Sequence, residues 1–113
     1  MREHLADTCS DVELLIALTH DPHPMVRGSA ALNGHLPLVE LEKLAKDPLA
    51  PVRAATVATR RLSATTLTRL ANDRSAEVRW EILTSHPERL DLVKKLAGDS
   101  DEIVAGQARS QLE

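Results

Sequence analysis

The chain has 113 residues, 42% of them apolar, and a net charge of −3, which suits one domain with one core and excludes a chain disordered throughout. Trp80 is its one aromatic residue, with no Phe and no Tyr, so the core must be built from Leu, Val, Ile and Ala, a set that suits short helices packed closely. A single cysteine, Cys9, excludes an internal disulfide and any multi-cysteine metal site.

In chain order, the polar start "MREHLADTCSD" does not read as a signal peptide. No apolar run approaches the roughly 18 residues of a membrane span, so no membrane association is expected and a cytoplasmic location is. Ser10-Asp11-Val12-Glu13 reads as a capping box opening a first helix with Leu15 and Leu18 on its apolar stripe. His20 closes that helix, and Asp21-Pro22 makes the turn. Pro24 then falls in the first turn of a second helix, where its missing N–H costs nothing. "LPLVELEKLAKD" (36–47), "LSATTLTRLAND" (62–73) and "ERLDLVKKLAGD" (88–99) each carry an apolar stripe at helical spacing, such as Leu38, Leu41, Leu44 and Ala45. Between them lie helical stretches such as "SAEVRWEILTS" (75–85), where Ser75 is the expected N-cap before Val78 and Ile82. Pro51 repeats the role of Pro24, Asp101 that of Ser75, and Pro22, Pro48 and Gly98-Asp99 mark turns. Leu112-Glu113 has the look of a cloning remnant and carries no weight.

The same residues recur at one interval. Asp21, Asp47, Asp73 and Asp99 stand 26 residues apart, as do Val26, Val52, Val78 and Val104. Arg27, Arg53 and Arg79 follow the valines until Ala105 breaks the series. Leu15, Leu41, Leu67 and Val93 make another column, and Leu18, Leu44, Leu70 and Leu96 another, with Ala45, Ala71 and Ala97 beside them. A pair of short helices cannot bury its apolar stripe alone, whereas stacked pairs share a continuous core. The expected fold is an all-α, right-handed α-solenoid of short helical hairpins in a single domain, 1–113. Its units are a degenerate N-terminal unit at 1–20, three clear ones at 21–46, 47–72 and 73–98, and a half unit at 99–113.

The frame D-P-x-x-x-V-R…N-x-x-L-P…L-x-x-L-A-x-D resembles the leucine-rich repeat variant family, a short relative of HEAT repeats. "DPHPMVRGSAALNGHLPLVELEKLAKD" (21–47) carries it best, "DPLAPVRAATVATRRLSATTLTRLAND" (47–73) next. "DRSAEVRWEILTSHPERLDLVKKLAGD" (73–99) is looser, with Ser85 where Asn33 stands. The resemblance covers roughly residues 10 to 110. It implies a HEAT-like scaffold that binds proteins, the commonest use of such solenoids, although others bind nucleic acid, repair alkylated bases or act as chromophore lyases. An iron–sulfur cluster on a cysteine-rich segment, known in one leucine-rich variant protein, does not carry over to a chain with Cys9 alone. One Trp and no Tyr likewise argue against base repair.

Charge is uneven along the chain: residues 1–21 sum to −4, 22–42 to −1, 43–80 to +5 and 81–113 to −3. A basic middle between acidic ends suits an acidic partner or another copy of the chain. Lys43, Arg69 and Lys95 stand one unit apart on the outward face of the second helix of each pair, a basic row with units on the order of 10 Å apart. Arg60, Arg61, Lys46 and Lys94 lie near it in sequence. The competing reading is an ordinary solvated face. Arg27, Arg53 and Arg79 admit two readings, a guanidinium ladder for phosphates or an internal ladder pairing with Asp21, Asp47 and Asp73 or with carbonyls at helix ends. The joint recurrence of Asp and Arg favours the internal one.

Trp80 occupies a column that elsewhere holds Gly28, Ala54 and Gly106, and reads equally as a binding hot spot or as packing over a helix end. His20 and His23, with His35 and His4, invite a metal site, but no pair falls at i, i+4 beside an acid as a zinc hydrolase needs. Arg60-Arg61-Leu62-Ser63 resembles a basophilic kinase site, yet Ser63 also stands where an N-cap is required. Ile16 and Ala17 make the first unit more apolar outside than later ones, a surface for the N-terminal segment or for self-association. The resulting expectation is a non-catalytic scaffold or adaptor without cofactor or metal. Its partner would be a protein, acidic if the basic face is used, and Trp80, Lys43, Arg69, Lys95, Arg60 and Arg61 are its contact candidates. Nucleic-acid binding through the basic middle is the alternative.

Overall fold

The structure is a computed structural model that describes residues 5–6 and 9–113. Among the described residues there are eight α-helices and no strand. They are α1 (Val12–Leu18), α2 (Pro24–Leu32), α3 (Leu38–Leu44), α4 (Ala50–Ala58), α5 (Ala64–Leu70), α6 (Ala76–Ser85), α7 (Leu90–Leu96) and α8 (Glu102–Gln111). Seven-residue helices alternate with helices of nine or ten. Such lengths are marginal in isolation, so packing must hold them.

Helix starts are defined one by one. Asp11, not Ser10, is the N-cap of α1, and its carboxylate accepts the Leu14 N–H at 3.2 Å. Ser63 caps α5 through Thr66 N–H, and Asp101 caps α8 through Ile103 and Val104 N–H. His23 caps α2 with Nδ1, which accepts from Met25 N–H. Ser75 holds the N-cap position of α6, but its side chain makes no capping bond. Asp73 has taken that role two residues earlier by accepting the Ser75 N–H at 2.8 Å. Pro24 and Pro51 sit in the first turns of α2 and α4, and Pro22 and Pro48 stand in the turns before them.

The longer helices pack in a row, α2 on α4, α4 on α6 and α6 on α8, with the shorter helices attached to them. The molecule is elongated, 44 × 21 × 19 Å. Val26, Val52, Val78 and Val104 are all buried, as are Leu15, Leu41, Leu67 and Val93 and the leucines at 18, 44, 70 and 96. Each buried Leu or Val contributes about 1.5–3 kcal/mol relative to an exposed one. Ala30, Ala31 and Ala108 are fully buried, and their small side chains let the helices of the row approach closely. Asn33 closes the N-terminal side, donating from Nδ2 to the Ala6 and Cys9 carbonyls at 2.8 and 2.7 Å.

The turns that lead into the longer helices form a seam. Each seam Asp accepts an N–H two residues on, from His23, Leu49, Ser75 or Asp101, at 2.8–3.0 Å. Arg27 forks onto Asp47 through Nε (2.8 Å) and Nη2 (3.1 Å), and Arg53 onto Asp73 (2.8 and 3.0 Å). Arg79 does the same with Asp99 (2.7 and 3.1 Å). The third nitrogen, Nη1, donates to the carbonyl of the Asp six residues earlier, Asp21, Asp47 or Asp73. The ladder is therefore internal, but the carboxylate partner is one turn further along than the Asp21, Asp47 and Asp73 expected from sequence. To the arginine six residues on, those three supply carbonyls. The reason is reach: an Arg on the first turn of a long helix points across to the adjacent turn, while its own turn lies behind it and offers backbone oxygen.

In the central rung the side chains of Arg53 and Asp73 are only 4% and 7% exposed. Removing one member of a buried pair strands the other, which costs about 3–5 kcal/mol. Arg53→Met should therefore lower the melting temperature by on the order of 10 °C or more. Arg53→Met/Asp73→Asn keeps the turn acceptor without the stranded charge, so it should melt above the single variant. Thermal unfolding followed by circular dichroism checks both, and a single variant melting like the parent would remove the rung from the stability account.

Candidate functional site

At the mouth of the seam the side chains differ from turn to turn. Lys46, Arg69 and Arg74 line one cleft of about 420 Å³, with Asn72, Ala45 and Leu70 and the paired groups Asp47, Asp73 and Arg53 beneath. A smaller adjoining cleft, about 230 Å³, is lined by Glu42, Lys43, Lys46, Thr66 and Arg69. Lys46, Arg69 and Arg74 are exposed. Arg69 lays Nη2 toward the Ala45 carbonyl (3.5 Å) and Arg74 toward that of Pro48 (3.3 Å). These contacts orient the guanidinium groups without cancelling their charge.

Acids around the clefts are already engaged. Burial alone would push the Asp73 carboxyl up, but the Arg53 fork, the Ser75 N–H and the charges of Arg53 and Arg74 hold it below the usual carboxylate range. Asp99 behaves alike, with burial opposed by Arg79, the Asp101 N–H and the nearby Lys95. Glu42 accepts from the Ser63 N–H at 2.8 Å and from the Thr66 hydroxyl. Those bonds, with the Arg69 charge, outweigh its burial and lower its pKa.

Of the six residues singled out in the sequence, the structure brings Lys43 and Arg69 to one cleft. Lys43 also lies 3.4 Å from Glu40. Lys95 is exposed one turn further on, next to the Arg79–Asp99 rung. Arg60 and Arg61 lie apart, in the α4–α5 connection at the far end of α4 from the seam, about 13 Å away along a nine-residue helix. Arg60, which adopts φ 61°, pairs at 3.2 Å with Glu88, and Arg61 donates to the Leu36 carbonyl at 2.7 Å. The Glu88 backbone N–H, then His86 and Arg60, hold the Glu88 carboxyl down to about 2. Trp80 is half-buried and packs against the core. Arg74 escaped sequence reasoning, although a signal was present: its column reads Pro22, Pro48, Arg74, Ser100.

A third cleft, apolar and about 340 Å³, opens between α2 and α4 over Met25, Gly28, Leu32, Leu49, Pro51 and Ala55. Met25, Leu32 and Leu49 are 64%, 53% and 43% exposed. A Cβ added to Gly28 would meet nothing within 4 Å, so this glycine leaves the floor of the cleft open. Trp80 stands in the same column two units on. In α1, Ile16 is half-buried and Ala17 exposed.

Among the described residues no group of three or more His, Cys, Asp or Glu side chains is placed to hold a metal ion. His23 is occupied as a cap, and His35 lies 3.1 Å from Asn33 Oδ1; His4 lies outside the described residues. Cys9 is buried, with Sγ accepting from the Asp11 N–H. No described helix is long and apolar enough to cross a membrane. Comparison with protein-family models, with curated proteins and with solved structures returned no match.

Two outcomes follow. Lowered carboxylate pKa values mean that the stabilisation from Asp73, Asp99 and Glu42 is complete above their unfolded values and is lost as pH falls through the folded ones. Urea midpoints should thus hold steady from pH 7 to about pH 5 and drop below about pH 4. The gap between parent and Asp73→Asn should close over the same drop; a gap unchanged at pH 2.5 would contradict the assignment. Separately, Gly28→Ala should raise stability by about 0.5–1 kcal/mol, since Ala is the better helix former and nothing obstructs it. Trp80→Ala should lower it by about 2 kcal/mol through lost packing. Both are readable from denaturant curves.

Proposed function

We propose that the protein is a non-catalytic interaction scaffold, a right-handed α-solenoid of 26-residue helical hairpins like those of the leucine-rich repeat variant and HEAT families. Several observations support this architecture. The shorter helices begin at residues 12, 38, 64 and 90 and the longer at 24, 50, 76 and 102. The longer helices pack in sequence order, and one hydrogen-bond pattern repeats at each seam turn. A frame of this kind keeps its interior constant and presents outward faces that are free to vary. We place the protein in the cytoplasm, with a protein as partner.

One observation carries the functional reading: the apolar cleft between α2 and α4, rimmed by Met25, Leu32 and Leu49. Large apolar side chains gathered around a concavity mark a protein contact more often than scattered ones do. Nucleic-acid binding is the second reading, favoured by the cations Lys46, Arg69 and Arg74 around one cleft. Against it, the one aromatic side chain, Trp80, packs on the core and offers little for stacking on a base.

The two readings separate by experiment. Cross-linking in the native cell followed by mass spectrometry should recover a protein partner with the parent chain. Gly28→Trp, which places at 28 the residue found at 80, should fill the cleft and cut partner affinity at least tenfold with the melting temperature little changed. Partner binding should persist at 0.5 M salt, because apolar contact is not screened. A random duplex bound with affinity that falls steeply between 50 and 200 mM salt would favour the nucleic-acid reading.

A further inference from the structure

The seam repeats, but its mouth does not. In the register of the repeat, the positions of Lys46, Arg69 and Arg74 are filled one unit earlier by His20, Lys43 and Pro48, and one unit later by Asn72, Lys95 and Ser100. Three permanent cations meet at one mouth, while its neighbours carry one each. The two carboxylates beneath do not neutralise them: Asp47 is held by Arg27 and the Leu49 N–H, and Asp73 by Arg53 and the Ser75 N–H. Glu42, in the adjoining cleft, is held by the Ser63 N–H and the Thr66 hydroxyl. Counting Glu42 against the three cations leaves the mouth with about two positive charges in excess. Backbone carbonyls already orient both guanidinium groups, which lowers the entropy cost of ordering them on a ligand.

We propose that Lys46, Arg69 and Arg74 form a phosphomonoester-binding notch that takes a phosphorylated serine or threonine side chain of a protein partner. A phosphomonoester brings close to two negative charges at pH 7 and three strong acceptor oxygens, matched to two guanidinium forks and an ammonium. A carboxylate brings one charge and leaves the excess unmet. A phosphodiester also brings one charge per group, and a nucleic-acid chain gains most from cations spread along its path rather than gathered at one point. The residues that line the cleft include no aromatic face for a base. That the phosphate sits on a protein rests on the scaffold reading; the notch itself rests on three cations lining one cleft.

The test is an NMR titration of the 15N-labelled full chain with a short Gly/Ala peptide carrying one phosphoserine, beside its serine and glutamate counterparts and a short DNA duplex. The phosphopeptide should move the Nε–H signals of Arg69 and Arg74 and the amides of residues 45–48 and 72–74, saturably. Its affinity should rise at least threefold from pH 5 to pH 7.5 as the second phosphate proton leaves near pH 6. Lys46→Asn/Arg74→Ser, which installs the residues of the next mouth, should weaken binding at least tenfold while melting stays within a few degrees. The notch is overturned if the serine or glutamate peptide binds as well, or if the double variant keeps full affinity. A duplex that displaces the phosphopeptide from the same signals at lower concentration would overturn its assignment to a protein partner. Failure of the scaffold reading looks different: the phosphopeptide still titrates the notch, but cross-linking in the native cell recovers no protein.

Discussion

A guanidinium that reaches both ways holds this molecule together. Arg53 takes the Asp73 carboxylate ahead of it with two nitrogens and the Asp47 carbonyl behind it with the third, while both acids accept backbone N–H groups within their own turns. One side chain thus ties the turn before α4, α4 itself and the turn before α6. Buried charges are costly to desolvate, and such a pair persists only where hydrogen bonding is nearly complete. Here the Arg Nε, Nη1 and Nη2 and both carboxylate oxygens all have partners, which meets that condition.

That constraint explains the composition. Once the turns are fixed by polar groups at the edge, the interior can be filled by Val, Leu and Ala, and close helix approach replaces the large buried areas that aromatic residues would supply. It also explains why the helices tolerate uneven caps. Leu49 and Ser75 stand at N-cap positions without a side-chain bond. In the seam the Asp two residues before the cap already orders the backbone.

Much of the helical pattern was legible in the sequence because the residues that make it recur along the chain: the buried valines, the leucine columns and the seam aspartates. What eluded sequence reading has a common cause, which is that spacing does not give direction. Arg27 is closer along the chain to Asp21 than to Asp47, yet it forks onto Asp47, because the helix projects it forward. Arg60 and Arg61 share a basic segment with Arg69, but α4 carries them to the opposite end of the helix pair, where Arg61 serves carbonyls and Arg60 meets Glu88. Arg74 stands in an exposed turn. Its importance lies in its company with Lys46 and Arg69, which only the packing of adjacent turns reveals.

The three rungs also have a mechanical meaning. Arg27–Asp47, Arg53–Asp73 and Arg79–Asp99 join successive turns one after another, so they are links in series. Links in series all bear the same tension, and their small extensions add. A pull along the row would be shared as slight opening at every turn until one link parted, and the others would then relax and remain closed. Each Arg–Asp fork is short-ranged, so every turn in the row has its own closure beside the packing of the helices.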